Sequence, residues 1–182
     1  MAQPARAPDL RSLGLHLGLR RGARSLLIGA ACGLAFGAYM ALADTAVFRS
    51  AVPQVQHVLL DQLTLAQRLV RFVPGALYDE VLYRLFGMTA LVWLLARLGL
   101  RRGPALFWPA ILLTAFVLYP LGALGYFRQL DWTGLTVARE VALHGAAGTL
   151  WGWLYWRHGW LAGVTGHIAA HLALQPLLGL LA

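Results

Sequence analysis

Three pairs of polar side chains stand four residues apart in otherwise apolar stretches: Glu80 and Arg84, Glu140 and His144, His167 and His171. On a helix such pairs share a face. Glu80 and Arg84 can therefore form an ion pair, which lowers the cost of placing either in an apolar setting. Asp79 is turned about 100° from Glu80 and needs another environment, to which Tyr83, one turn on, can contribute. Two imidazoles at the spacing of His167 and His171 can chelate a divalent metal such as zinc. Alternatively, one ring faces a substrate while the other orients it.

Each pair also has a purely structural reading. Glu80–Arg84 can simply hold two helices together, and the two histidines can serve interhelical hydrogen bonding. His144, among Gly145, Ala146, Ala147 and Gly148, reads mainly as packing with one interhelical bond. His57 and His158 read as interfacial and His16 as solvated. The tryptophans of LWGWLYWRHGW (150–160) read as an interfacial aromatic belt.

The elements that carry these residues are those of a membrane protein. Of 182 residues, 59% are hydrophobic and 12% charged, against about 25% charged in soluble domains. Five apolar runs approach the roughly 20 residues needed to cross a bilayer: 25–43, 76–96, 105–125, 137–156 and 160–182. Asp79, Glu80 and Arg84 fall inside the second, where each would cost about 2.5–3.5 kcal/mol facing lipid. Side chains under that penalty face a protein interior. The segment 48–75 is too polar to span. Its apolar residues, from Val55 to Val70, recur at roughly helical spacing and predict an amphipathic helix on the membrane surface. The expectation is an all-α polytopic bundle of about five spans plus that interfacial helix, with 1–24 as a basic cytoplasmic segment and 25–182 as one transmembrane domain.

All fifteen basic residues are arginine, and the net charge is +8. They are scattered through an apolar chain and gathered at the ends of its hydrophobic runs, which argues for topology and against nucleic acid. With five spans, nine arginines share the side of the N-terminus and five the other. The positive-inside rule then makes the N-terminus cytoplasmic, as in a bacterial inner membrane. The first run is too long for a cleaved signal core and reads as an uncleaved anchor. Cys32 is the only cysteine, so no intramolecular disulfide can form.

DEVLYR, followed far downstream by GWLYWRHGWLAGVTGHIAAH, resembles the CPBP family of intramembrane proteases (CAAX proteases and bacteriocin-processing enzymes, also called Abi). That family carries E-E-x-x-x-R on one helix, F-x-x-x-H on a later one and H-x-x-x-N near the end, preceded by a G-x-L-Y-x-R-x-G turn. The resemblance covers about residues 70–175. It implies that Asp79 stands at the general-base position, with Glu80 and Arg84 as its supporting pair. His167 then stands at the third-motif histidine, and His171 takes the place of the usual asparagine. The two imidazoles would stabilise the oxyanion that forms when activated water attacks a peptide carbonyl. FVLYP, Phe116 to Pro120, best matches the second motif, and proline stands there in place of histidine. His144, on a neighbouring helix, is the candidate replacement.

Three readings follow. The first is an intramembrane endopeptidase that cleaves a membrane-associated protein or peptide. The second is a member of the same family that has lost activity and serves as a membrane scaffold or immunity protein. The third is a metal or haem membrane protein using His144, His167 and His171. The resemblance does not firmly imply a cofactor, and a divalent metal such as zinc stays an option. The first reading requires Asp79, Glu80, His167 and His171 to meet in one interior pocket.

Overall fold

The computed structural model describes residues 15, 16 and 22–181. Most of the basic segment 1–24 lies outside the described residues. Among those described, all regular structure is helical. Helix α1 is Gly22–Ala46 and α2 is Gln54–Gln62. Helix α3 runs through 65–97 without a break, as Leu65–Asp79, Glu80–Met88 and Thr89–Arg97. Helix α4 is Pro104–Gly122, α5 covers 134–158 and α6 is Trp160–Leu181. A long helix thus covers all or most of each of the five apolar runs, with α4 ending at Gly122 before the third run does. Three of them, α1, α4 and α6, are long and apolar enough to cross a membrane; α3 and α5 carry the charged residues.

The segment 48–75 is not one surface helix. It divides into a turn at Arg49–Ala51, α2, and the first part of α3. The division comes at Thr64, whose hydroxyl accepts from the Gln67 amide while the Gln67 side chain accepts from the Thr64 amide. This reciprocal cap starts a new helix. Arg68 is buried, and its guanidinium donates to the carbonyls of Leu60, Leu63 and Gln175. The start of α3 is therefore tied to the end of α6.

Helices α1 and α6 pack closest. Gly29, Gly33 and Gly37 lie against Ala162, Gly166 and Ala170 in constant register, so the two helices run parallel. A Cβ on Gly33 would fall into the Gly166 carbonyl, 2.8 Å from its carbon. Only glycine permits that backbone approach. Contacts such as Gly87 with Leu118 and Gly122 with Tyr83 set α4 antiparallel to α3, and Gly145 with Phe116 and Gly152 with Ile111 set α5 antiparallel to α4. Gly159, at φ +92°, makes the sharp turn from α5 into α6. Chain direction therefore alternates through α3, α4, α5 and α6, with α1 aligned with α6.

The polarity is inverted relative to a soluble bundle. Leu27, Val70, Phe86, Val141 and Leu180 are exposed, whereas Asp44, Arg68, Glu80, Arg84, Arg139 and Glu140 are buried. An apolar exterior around charged interior groups suits lipid as the surrounding solvent. A core cluster of Met88, Val92, Leu106, Phe107, Ile111 and Tyr155 closes the end of the bundle near the α3–α4 connection.

Each central helix also contains a widened turn with i→i+5 hydrogen bonding: Glu80–Met88 in α3, Thr114–Leu118 in α4 and Val141–Gly145 in α5. In α4 the cause is Pro120. A proline within a helix has no N–H and crowds the carbonyl four residues earlier, and the wide turn just before it relieves both problems. In α3 the Thr89 hydroxyl donates to the Arg84 carbonyl five residues back and meets Tyr155.

Candidate functional site

Glu80 is fully buried at the start of the widened turn of α3. Its Oε1 lies 3.1 Å from His167 Nδ1 on α6 and 3.6 Å from Arg84 Nε. The expected Glu80–Arg84 pair exists, but only as a loose contact. Arg84 Nη2 instead donates to the Gly148 carbonyl at 3.1 Å. His167 is thus the nearer partner of Glu80. Glu80 Oε2 is buried with no hydrogen bond among the described residues. It faces Gly163, where a Cβ would stand 3.0 Å away. The Glu80 carbonyl accepts from Trp160 Nε1 at 2.9 Å.

Asp79 is only partly buried and makes no hydrogen bond or ion pair among the described residues. It lies within electrostatic reach of His167, Arg84, Glu80 and His144. The two neighbouring carboxylates therefore differ in kind. Glu80 is enclosed by partners, while Asp79 is uncommitted.

Four rings form a ladder beside this pair. Trp151 stacks on His167 at 5.4 Å between centroids, His167 on His171 at 5.3 Å, and His171 on Phe72 at 5.4 Å. The ladder fixes both imidazole planes. His171 Nδ1 is buried without a hydrogen bond among the described residues. Stacked rings do not converge on one point, and no group of three or more His, Cys, Asp or Glu side chains suited to a metal ion occurs among the described residues.

A second polar cluster lies nearer the other end of α5. Arg139 is fully buried and donates to both oxygens of Asp44 at 2.7 and 2.8 Å. It also reaches Gln56 Oε1, the Tyr126 hydroxyl and Glu140 Oε1. Glu140 Oε1 additionally accepts from the Tyr126 hydroxyl at 2.9 Å, while Oε2 lies 2.6 Å from His144 Nδ1. His144 thus bonds within its own helix, not across helices as its small neighbours suggested. Its ring lines a cavity of about 340 Å³ together with Phe116, Tyr119, Pro120, Trp132 and Glu140. Tyr119 stacks on His144 and meets Tyr83 edge-on, at 6.0 and 5.4 Å, and so stands between the two polar clusters.

The structure therefore brings Glu80, His167 and His171 together with Asp79 beside them. It places His144 apart, across Tyr119. Several contributors were not singled out by sequence reasoning. Trp151, assigned to an interfacial belt, is buried and stacks on His167, and Trp160 Nε1 donates to the Glu80 carbonyl. Arg139, counted as an outer-side charge, is the centre of a buried network. Asp44 was not considered, although an acid closing one apolar run and an arginine opening another are a legible signal for such a pair. His16, expected to be solvated, is partly buried, and its carbonyl accepts from the Trp160 amide. No protein-family model matches this chain, and no curated protein or solved structure matches it.

Proposed function

We propose that this chain is a CPBP-like intramembrane endopeptidase, built as a five-span bundle with a cytoplasmic N-terminus. The alternating helix directions and the inverted polarity support the topology. The observation that carries the chemical reading is the contrast between adjacent carboxylates. Glu80 is buried against His167 and Arg84, whereas Asp79 has no hydrogen-bond partner among the described residues.

An uncommitted carboxylate in a largely apolar interior is suited to act as a general base. Asp79 takes a proton from water as the water oxygen bonds to the peptide carbonyl carbon. With Nδ1–H held by the Glu80 carboxylate, the His167 ring donates from Nε2 to the oxyanion only as the imidazolium, and His171 is the other donor that the resemblance implies. The C–N bond then breaks, and the proton passes to the departing amine. The substrate class that the resemblance implies is a membrane-associated protein or peptide.

One observation favours the alternative, a family member that has lost activity. Pro120 lines the cavity where the resemblance calls for histidine, and it has no titratable group. The test is cleavage of a peptide library by purified protein in detergent micelles. The proposal expects cutting that falls by on the order of 100-fold or more in Asp79→Asn and His167→Ala. Absence of cutting by the wild-type protein, or cutting indifferent to Asp79→Asn, overturns it.

A further inference from the structure

We propose that Glu140 is a positioning residue which holds the His144 imidazole, across Tyr119 from Asp79, so that its Nε2 exchanges a proton with the site. The reaction step rests on the reading given under Proposed function; the state of the ring does not. Glu140 Oε2 stands 2.6 Å from His144 Nδ1. An ionised carboxylate only accepts hydrogen bonds, so Nδ1 must carry the hydrogen. In the neutral ring Nε2 is then the bare nitrogen. No described residue bonds to Nε2, and the ring lines the cavity of about 340 Å³. The imidazole therefore presents a proton acceptor to that space.

Glu140 is itself held against rotation. Its Oε1 takes hydrogen bonds from Arg139 Nη1 at 2.7 Å and from the Tyr126 hydroxyl at 2.9 Å. Arg139 is in turn gripped by both oxygens of Asp44. Tyr119 and Tyr126 pack on the His144 ring and fix its plane. The ionisable groups facing His144 are thus Glu140 on its own helix, Tyr119 on α4 and Tyr126 in the α4–α5 connection. Asp79 on α3 and His171 on α6 lie within electrostatic reach. Nucleophile–base–orienter arrangements use the same logic, with a carboxylate fixing both tautomer and plane of the ring that moves the proton. During cleavage Asp79 takes the proton leaving the attacking water, and Nε2, across Tyr119 from that carboxylate and within electrostatic reach of it, receives that proton in turn. That proton is then returned to the amine, so one water is consumed and one peptide bond broken.

This geometry makes Glu140→Gln an unusually specific probe. Two donors, Arg139 and Tyr126, face Oε1, so the amide oxygen must take that position. The amide NH₂ is then left to donate to His144 Nδ1. The substitution keeps the shape and reverses the tautomer, putting the hydrogen on Nε2, toward the cavity.

The experiment is ¹⁵N NMR of the full-length protein in micelles, with the His144 signal assigned by its loss in His144→Gln. Wild type is expected to show Nδ1–H and Glu140→Gln to show Nε2–H. In the cleavage assay Glu140→Gln should lower kcat by on the order of 10²- to 10⁴-fold with KM nearly unchanged. The double variant Glu140→Gln/His144→Ala should be no slower than His144→Ala alone, because Glu140 acts through His144. A wild-type spectrum showing Nε2–H or an even mixture overturns the proposal whatever the assay gives. Full activity of Glu140→Gln also overturns it. If the tautomers appear as expected but wild type cuts nothing, the peptidase reading fails and the catalytic role assigned to His144 falls with it. The positioning of the ring by Glu140 is then upheld.

Discussion

Replacing Arg139 by lysine keeps the charge and removes the fork, which separates two accounts of the buried network. Arginine has five N–H groups, and Arg139 uses them in five hydrogen bonds. Nε and Nη2 reach Asp44 at 2.7 and 2.8 Å, Nη2 also reaches Gln56 at 3.0 Å, and Nη1 reaches Glu140 at 2.7 Å and Tyr126 at 3.1 Å. Lysine offers three donors from one point. At least two bonds to buried acceptors must be lost, at about 1.5–3 kcal/mol for each bond to a charged group. Arg139→Lys should therefore cost about 3–6 kcal/mol, a large share of the roughly 5–15 kcal/mol that holds a typical domain together. The assay is reversible unfolding in mixed micelles with increasing SDS, followed by circular dichroism. If simple charge balance held the network, lysine would serve as well. A variant within about 1 kcal/mol of wild type would refute the donor-count argument.

The same titration checks two further expectations. Glu80→Ala leaves Arg84 and His167 facing an empty site and should cost about 3–5 kcal/mol, whereas Asp79→Asn, which breaks no bond among described residues, should stay within about 1 kcal/mol. Equal losses would contradict the contrast between the two carboxylates. Gly33→Ala forces a methyl to within 2.8 Å of the Gly166 carbonyl carbon and 2.9 Å of Ala169 Cβ. It should cost about 1–3 kcal/mol, read as a lower thermal midpoint, and an unchanged midpoint would deny the close α1–α6 approach. Thr64→Ala removes one arm of the cap on α3. It should cost about 1 kcal/mol, seen as faster hydrogen exchange at the amides of residues 65–68 against an unchanged rate in α6.

The helices and much of the site could be read directly from residue order. Apolar runs near bilayer length became α1, α4 and α6, and the same reading located α3 and α5 despite their charges. The spacing of His167 and His171 put both imidazoles on one face, and they are stacked there. Asp79 and Glu80 diverge as adjacent residues on a helix must. The surface helix expected over 48–75 is instead divided between two helices, because hydrophobic periodicity does not register where a capping box begins a new helix. The widened turns were also invisible. Only Pro120 marks one of them, and a proline in a pattern shows that a helix is disturbed, not how the disturbance is absorbed.

What residue order determined by itself was hydropathy and local geometry: which segments are helical, which are apolar enough to face lipid, and which polar side chains share a turn. These follow from transfer energies and helical pitch, both properties of short stretches. Partner choice was decided only by the packed bundle. Glu80 meets His167 across 87 residues of chain, and Arg139 meets Asp44 across 95. Trp151 lies under an imidazole and not at an interface. A buried charge takes whichever donor the neighbouring helix brings to its depth. That depth is set by glycine contacts and wide turns that no single helix reveals.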